Sequence, residues 1–281
     1  MAKKVSLVER LVNEGWFDDE KQAAAWVMER KVLLDNNLMV SPKEKVSTEG
    51  IIRVKDYYKL KYVNKGGYKL EGALREFNIN IDGKTVLDCG ASTGGFTDCL
   101  IQQGAECVYA VDVGYGQLAG KLAINPRVVN MEKTNLSSDR LFNLIPKPQL
   151  ITLDLSYLSL RKALPICRKI LHNNGEIVAL IKPLFEVDSS EIRRTGKIDD
   201  CEILYKVLSD ICTYCEEENF DILGITFSPI RGNSGTLEYF IHLSCGKATH
   251  INKVNSECIF QVVSKSMTIG RYHKNKHTTN M

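Results

Sequence analysis

Asp88, Cys89, Gly90, Ala91, Ser92, Thr93, Gly94, Gly95 and Phe96 follow the apolar pair Val86 and Leu87 and lead into an apolar, helix-like segment. A buried strand that breaks into a glycine-rich turn and opens a helix begins a nucleotide-type cofactor site. Glycine lets the backbone approach the ligand, and the N–H groups at the helix start face it. Asp112 ends the next strand-like run, ECVYAVDV. An acid there, about 20 residues past the turn, can hold a ribose hydroxyl pair. Together the two features predict an adenosine-containing cofactor. The spacing Gly90, Ser92, Gly94 departs from the dinucleotide fingerprint of three spaced glycines, which favours S-adenosylmethionine over a pyrophosphate ligand.

Four charged residues stand where an apolar sheet would not hold them without use. Asp154 ends the run QLITLD, Lys182 follows IVALI, Glu238 sits in GTLEYF, and Lys69 lies on a helix-like segment ahead of the glycine turn. They form a two-lysine, two-carboxylate set at the sheet edge that carries the cofactor turn. The elements that must position them follow from periodicity. Strands are predicted at 84–89, 106–112, 127–130, 149–154 and 175–181, with helices at 95–103, near 116–123 and at 159–170 between them. Helix 200–217 and two strands, 221–229 and 235–245, come last, the strands antiparallel at the sheet edge. Strands alternating with helices imply a doubly wound α/β sheet with its ligand at the strand C-terminal ends.

Ahead of this domain, helices are predicted over 4–15 and 19–30, the second capped by Asp18 or Asp19, followed by short apolar pieces at 32–34, 38–40 and 51–54. Residues 55–66 read as a linker ended by Gly66 and Gly67, with a helix over YKLEGALREFN. Lys59, Lys61 and Lys65 belong to a basic stretch from Arg53 to Arg75, interleaved with tyrosines, that suits phosphate contact and stacking. Net charge over the 281 residues is only +3, so a nucleic-acid partner rests on this clustering. Hydrophobic residues at 44% and charged residues at 25% suit a globular chain. Without an apolar run of about 18 residues or a signal-like N-terminus, a cytoplasmic protein is expected. Nine cysteines without framework spacing predict buried thiols, not disulfides or a metal site.

The run VERLVNEGWFDDEKQAAAWVMERKVLLDNNLMVSPKEKVSTEGIIRV resembles the alpha-L RNA-binding domain. That resemblance makes Lys3, Lys4, Lys21, Arg30 and Lys31 candidates for RNA contact. The motifs YVNKGGYKLEGAL, LDCGASTGGFTDCL, AVDVGYGQLAGKL, DLSYLSL, IKPLFEV and GNSGTLEYF resemble the TlyA family of ribosomal RNA 2'-O-methyltransferases. These proteins join an alpha-L domain to an FtsJ-like methyltransferase domain. The resemblance implies an alpha-L domain over 1–62, a Rossmann-like methyltransferase domain with an antiparallel last strand over 63–250, and a C-terminal helix with a basic tail over 251–281. It also implies a catalytic set of Lys69, Asp154, Lys182 and Glu238, and S-adenosylmethionine-dependent methylation of cytidine ribose in 23S RNA and, in some members, also in 16S RNA, on ribosomal subunits; a monomer is expected. Two stretches depart from the family pattern, DSSEIRRTGKIDD after Lys182 and Gly120 in place of an aromatic. Neither touches the four charged positions.

A ribose 2'-hydroxyl is almost wholly protonated at neutral pH, so methyl transfer to it needs a base or an electrostatic stabiliser. Lys182 is the expected group for that proton, with Lys69 as the neighbouring cation and the two acids orienting both ammonium groups. Gly90, Ser92 and Gly94 are expected to cradle the methionine end, beside Asp88, Thr93, Gly95, Phe96 and Asp154. Asp112 would take the ribose, Val113 would lie on adenine, and Glu132 and Asn135 would reach the adenine edge. A non-catalytic RNA-binding factor is the alternative. A membrane-active protein and a nicotinamide enzyme fit less well, for want of an apolar span and of the dinucleotide fingerprint.

Overall fold

The computed structural model describes residues 4–17, 19–55, 61–156, 158–232, 235–245 and 252–270. The chain divides into two compact units, Met1–Lys61 and Tyr62–Met281.

The first unit opens with a strand, β1 (Lys4–Ser6), where the sequence predicts the first turn of a helix. Lys4, Val5 and Ser6 pair antiparallel with Ser47, Val46 and Lys45 of β4 (Lys45–Ser47). Ser6 then caps α1 (Leu7–Asn13) by accepting the Glu9 N–H. A distant strand partner thus overrides the apolar spacing that reads as helix. The Asp19 side chain caps α2 (Glu20–Met28), accepting the Gln22 N–H at 2.7 Å; Asp18 lies outside the described residues. A second small sheet pairs β2 (Val32–Leu34) with β3 (Asn37–Leu38) on one side and β5 (Ile52–Val54) on the other. Leu7, Leu11, Ala23, Val27, Val32 and Ile52 form the unit's core.

The second unit begins its regular structure with α3 (Gly66–Glu76), then β6 (Thr85–Cys89), α4 (Gly95–Gln102), β7 (Cys107–Val111), α5 (Gly120–Ala123) and β8 (Val128–Met131). It continues with α6 (Asp139–Phe142), β9 (Leu150–Leu153), α7 (Leu160–Ile170), β10 (Glu176–Ile181), α8 (Pro183–Glu186) and α9 (Ser190–Arg194). Last come α10 (Cys201–Glu217), β11 (Asp221–Phe227), β12 (Tyr239–Ser244) and α11 (Ser256–Met267). The seven strands are ordered β11-β12-β10-β9-β6-β7-β8. Strands β10, β9, β6, β7 and β8 run parallel, and β12 is inserted antiparallel to both β10 and β11. This is the mixed α/β, Rossmann-like sheet with a reversed last strand that the sequence predicts.

Side-chain alternation along the strands feeds two cores. Leu87, Tyr109, Ile151 and Ile177 join one, Val86, Val108, Leu150 and Val178 the other. Leu160, Ala163, Leu164, Cys167 and Ile170 of α7 follow helical spacing into the first. Leu70, Ala73 and Leu74 of α3 enter the second with Phe96 and Leu100 of α4. Gly66 and Gly67 begin α3, although the sequence reading makes them the end of a linker. Packing explains it: a Cβ on Gly67 would lie 2.2–2.5 Å from the Tyr62 side chain, itself 1% exposed.

Asp88, expected beside the cofactor, is instead fully buried beneath the glycine turn. Its carboxyl oxygens accept Thr97 Oγ1 of α4 at 2.6 Å and Thr152 Oγ1 of β9 at 3.0 Å. Burial pushes the carboxyl up to about 7, while the threonine hydrogen bonds oppose the rise. It is therefore a joint between the central strand, its neighbour and the helix that follows.

Two predictions follow from this packing. Gly67→Ala forces a methyl into Tyr62 and should destabilise the unit by about 1–3 kcal/mol, read as a lower midpoint in thermal or urea unfolding. Asp88 holds its proton more tightly folded than unfolded, so its contribution to stability is complete below the ordinary carboxylate pKa and is lost as pH rises towards about 7. Unfolding free energies of Asp88→Asn should lack that decline between about pH 4 and 7; a slope equal to that of the parent would show that the carboxyl does not titrate in this way.

Candidate active site

A cavity of about 700 Å³ opens where β6, β9 and β10 end, within the range of small-molecule sites. Gly90, Ala91, Ser92, Gly95 and Phe96 of the glycine turn line it together with Lys69, Asp154, Lys182 and Glu238. Each of the four charges comes from a different element: Lys69 from α3, Asp154 from one residue past β9, Lys182 from one residue past β10, and Glu238 from the residue before β12. The reversed direction of β12 is what brings its first residues to the same edge at which the parallel strands finish.

The four are not evenly mixed but form two pairs. Lys69 Nζ donates to Glu238 Oε2 at 2.6 Å, with both side chains nearly buried. Lys182 Nζ stands 2.6 Å from Asp154 Oδ1 in an off-axis approach, an ion pair without hydrogen-bond alignment, and also donates to Ser156 Oγ at 3.4 Å. Burial raises the Glu238 carboxyl above the usual range, and the Lys69 ammonium pulls it back down. Asp154 and Lys182 also act on Glu238 through space, so the pairs form one electrostatic unit. Two ammonium groups and two carboxylates beside a ligand-sized cavity can orient a hydroxyl and handle its proton.

Gly90 sits at φ +87°, and a Cβ there would come within 2.4 Å of the Asp154 carbonyl oxygen. Only glycine lets the cofactor turn and the Asp154 loop meet so closely. Asp112 lies at the end of β7, outside the cavity wall, where its two oxygens accept the N–H groups of Ser92 (2.8 Å) and Gly114 (2.7 Å). Val113 beside it is 72% exposed, an uncovered apolar face next to the carboxylate. Glu132 Oε1 accepts the backbone N–H groups of Gln117 (2.7 Å) and Leu118 (3.2 Å), and these hold the carboxyl down to about 2. Asn135 Oδ1 accepts the Ser137 N–H at 2.9 Å and serves its own turn.

Thr93 Oγ1 accepts Asn64 Nδ2 at 2.5 Å, while Asn64 Oδ1 accepts the Gly66 N–H at 2.6 Å. Asn64 thereby joins the start of α3 to the glycine turn, although the sequence reading leaves it in a linker. Arg231 is another lining residue that the sequence reading passes over. Its guanidinium donates to the carbonyls of Ile269 and Gly235, both at 3.0 Å, and braces the loop ahead of Glu238. An arginine in the glycine-containing run RGNSG, shortly before a strand-opening acid, is the signal that could have found it.

Among the candidates for RNA contact, Lys4, Lys21 and Arg30 are exposed in the first unit, and Lys31 pairs with Glu29 and lies over the Trp26 ring. Lys61 and Lys65 are exposed, and Lys65 reaches the cavity lining. Lys3, Lys59 and the basic tail beyond residue 270 lie outside the described residues. Among the described residues there is no helix long and apolar enough to cross a membrane and no cluster of metal-binding side chains.

The residues fit S-adenosylmethionine. Small side chains leave room at the glycine turn, a carboxylate stands at the next strand end where ribose hydroxyls are held, and an exposed apolar side chain flanks it. Comparison with known proteins agrees. The FtsJ-like methyltransferase family matches residues 62–245. The Mycobacterium tuberculosis 16S/23S rRNA (cytidine-2'-O)-methyltransferase TlyA is 35% identical over 86% of this chain and 91% of its own length. The Bacillus subtilis protein YqxC, named as a candidate rRNA methyltransferase, is 36% identical over 94% of this chain and 95% of its own. A solved structure of a hemolysin candidate from Streptococcus thermophilus is 35% identical, covers 95% of this chain and 96% of its own, and superposes with a TM-score of 0.71. The chain belongs to the FtsJ-like methyltransferase family, and S-adenosylmethionine is its methyl donor.

Proposed function

We propose that the protein methylates the 2'-hydroxyl of a cytidine ribose in ribosomal RNA, with 23S RNA the first acceptor to test and 16S RNA the second. The observation that carries this reading is the pairing of Lys69 with Glu238 and Lys182 with Asp154 in the cavity that the glycine turn also lines. The M. tuberculosis relative, named for that reaction on 16S and 23S RNA, aligns over most of both chains.

Bound S-adenosylmethionine supplies a methyl group on a sulfonium, which leaves as a neutral thioether. What remains for the chain is alignment and proton handling. Asp112 holds the ribose hydroxyls of the cofactor, and the turn from Gly90 to Phe96 shapes the wall around its methionine part. Lys182 meets the acceptor 2'-hydroxyl: as the neutral amine it takes that proton, and it becomes the ammonium whose direction Asp154 fixes. Lys69, anchored by Glu238, adds positive potential where negative charge develops on the attacking oxygen. With both carboxylates ionised the four groups sum to neutrality, which limits the desolvation cost of closing RNA over them. The first unit serves as an alpha-L RNA-binding domain, with Lys4, Lys21 and Arg30 among its exposed cations; in the second unit Lys65 stands exposed at the cavity.

Three measurements test this reading. Transfer of labelled methyl from S-adenosylmethionine to separated ribosomal subunits from an unmodified strain should label ribose in the wild-type reaction and fall about a hundredfold or more with Lys182→Ala. Full turnover by the variant would remove Lys182 from the reaction, and RNA binding without label from the wild type would favour a non-catalytic factor. Asp112→Ala should weaken S-adenosylmethionine binding about tenfold or more by calorimetry, roughly 1.4 kcal/mol, while leaving RNA affinity unchanged. RNA affinity itself should fall steeply with salt, and less steeply after Lys21→Ala and Arg30→Ala together.

A further inference from the structure

Lys182 is followed at once by α8, a single turn of four residues. A helix this short does not hold itself, so the path of the chain after Lys182 must be set by something else. The structure supplies it in Glu186, the last residue of that turn, which is 5% exposed and reaches the start of α7. Glu186 Oε2 accepts Ser159 Oγ at 2.7 Å, and Oε1 accepts the Leu160 N–H at 2.7 Å. Arg161 Nη1 donates to the Glu186 carbonyl at 3.2 Å and stands 3.4 Å from Oε2. Tyr214 of α10 donates to the Arg161 carbonyl at 2.6 Å, tying the same corner to the helix behind it.

The two loops joined here are the two that carry the catalytic candidates. Strands β9 and β10 are parallel neighbours, with Leu153 opposite Ala179. The loop after β9 holds Asp154 and Ser156 and ends at Ser159, the N-cap of α7; the loop after β10 holds Lys182 and ends at Glu186. The loops are therefore cross-linked twice, first by Lys182 with Asp154 and Ser156, and again by Glu186 with Ser159 and Leu160. The first link lines the cavity and must give way to a substrate hydroxyl. The second rests on the Glu186 carboxylate, which is buried and does not line the cavity.

We infer that Glu186 is a positioning residue for the methyl-transfer reaction: its buried carboxylate locks the β10 loop to the start of α7 and so keeps the Lys182 ammonium aimed into the cavity while its contacts with Asp154 and Ser156 exchange for the acceptor. The inference rests on the proposed role of Lys182. Gln at this position keeps the shape and the acceptor for the Leu160 N–H, but it reverses the hydrogen bond with the Ser159 hydroxyl and removes the charge that faces Arg161.

The test compares Glu186→Gln and Ser159→Ala with the wild type in methyl transfer to ribosomal subunits, S-adenosylmethionine binding and thermal unfolding. In parallel, the acylation of Lys182 and Lys69 by acetic anhydride is followed by mass spectrometry. Expected is a fall in kcat of about tenfold or more for Glu186→Gln and several-fold for Ser159→Ala. KM for S-adenosylmethionine should stay within twofold, and Lys182 labelling should change at least threefold with Lys69 labelling constant. A uniform loss of folded protein would leave kcat per folded molecule, and the ratio of the two lysine labels, unmoved, and would overturn the inference. Unchanged Lys182 labelling in both variants overturns it whatever the turnover. Ser159→Ala, which removes the hydrogen bond to Glu186 and the cap bond from the Arg161 N–H but leaves the Leu160 link in place, decides the matter if Glu186→Gln does not fold. A wild-type enzyme that transfers no methyl would count against the proposed function, while the lysine labelling still reads the lock on its own.

Discussion

Charge that leaves water must find a partner, and the second unit is arranged around two places where it does. Lys69 and Glu238 lie 169 positions apart in the chain and meet at 2.6 Å with little exposure on either side. Lys182 and Asp154 meet from adjacent loops. Leaving one member of such a buried pair alone costs about 3–5 kcal/mol, so every element that brings the partners together is held to a tight geometry. Strand β12 is the clearest case. Had it run parallel to its neighbours, its first residues would lie at the opposite edge of the sheet, and Glu238 could not face Lys69.

Around the pairs lies a supporting frame of polar side chains. Asp88 binds strand, neighbouring strand and helix through two threonines. Asn64 ties the start of α3 to the glycine turn, and Arg231 braces the loop ahead of Glu238. Glu186 links the loops that carry Asp154 and Lys182. In each case a polar side chain with at least two partners spans elements that packing alone would let slide. Reactions that depend on alignment more than on covalent assistance place their demand on this kind of support.

The relatives carry two kinds of name, one for RNA methylation and one for hemolysis. The features gathered in this chain are those of an S-adenosylmethionine-dependent methyltransferase: a glycine turn, a carboxylate at the second strand end, and a paired set of lysines and acids around one cavity. No described helix has the length and apolar character to span a bilayer.

Much of this was legible in the sequence because it depends on local pattern. Strand alternation with helices, the glycine run at 90–95, Asp112 at the next strand end, and the charges at Asp154, Lys182 and Glu238 all follow from neighbours a few residues away, and these placed the sheet and the edge that carries the site. Sequence alone erred or was silent where long-range contact decides. Lys4 to Ser6 became a strand because β4 offers hydrogen-bond partners, and Gly66 and Gly67 opened a helix because Tyr62 needs the space. Asp88 turned inward because two threonines from other elements were there to receive it, and Asn64, Arg231 and Glu186 acquired partners only when the chain closed. Which lysine pairs with which acid was likewise decided by the tertiary fold: a charge identifies itself by residue type, whereas its partner is set by direction and depth in a sheet that no short stretch of chain specifies.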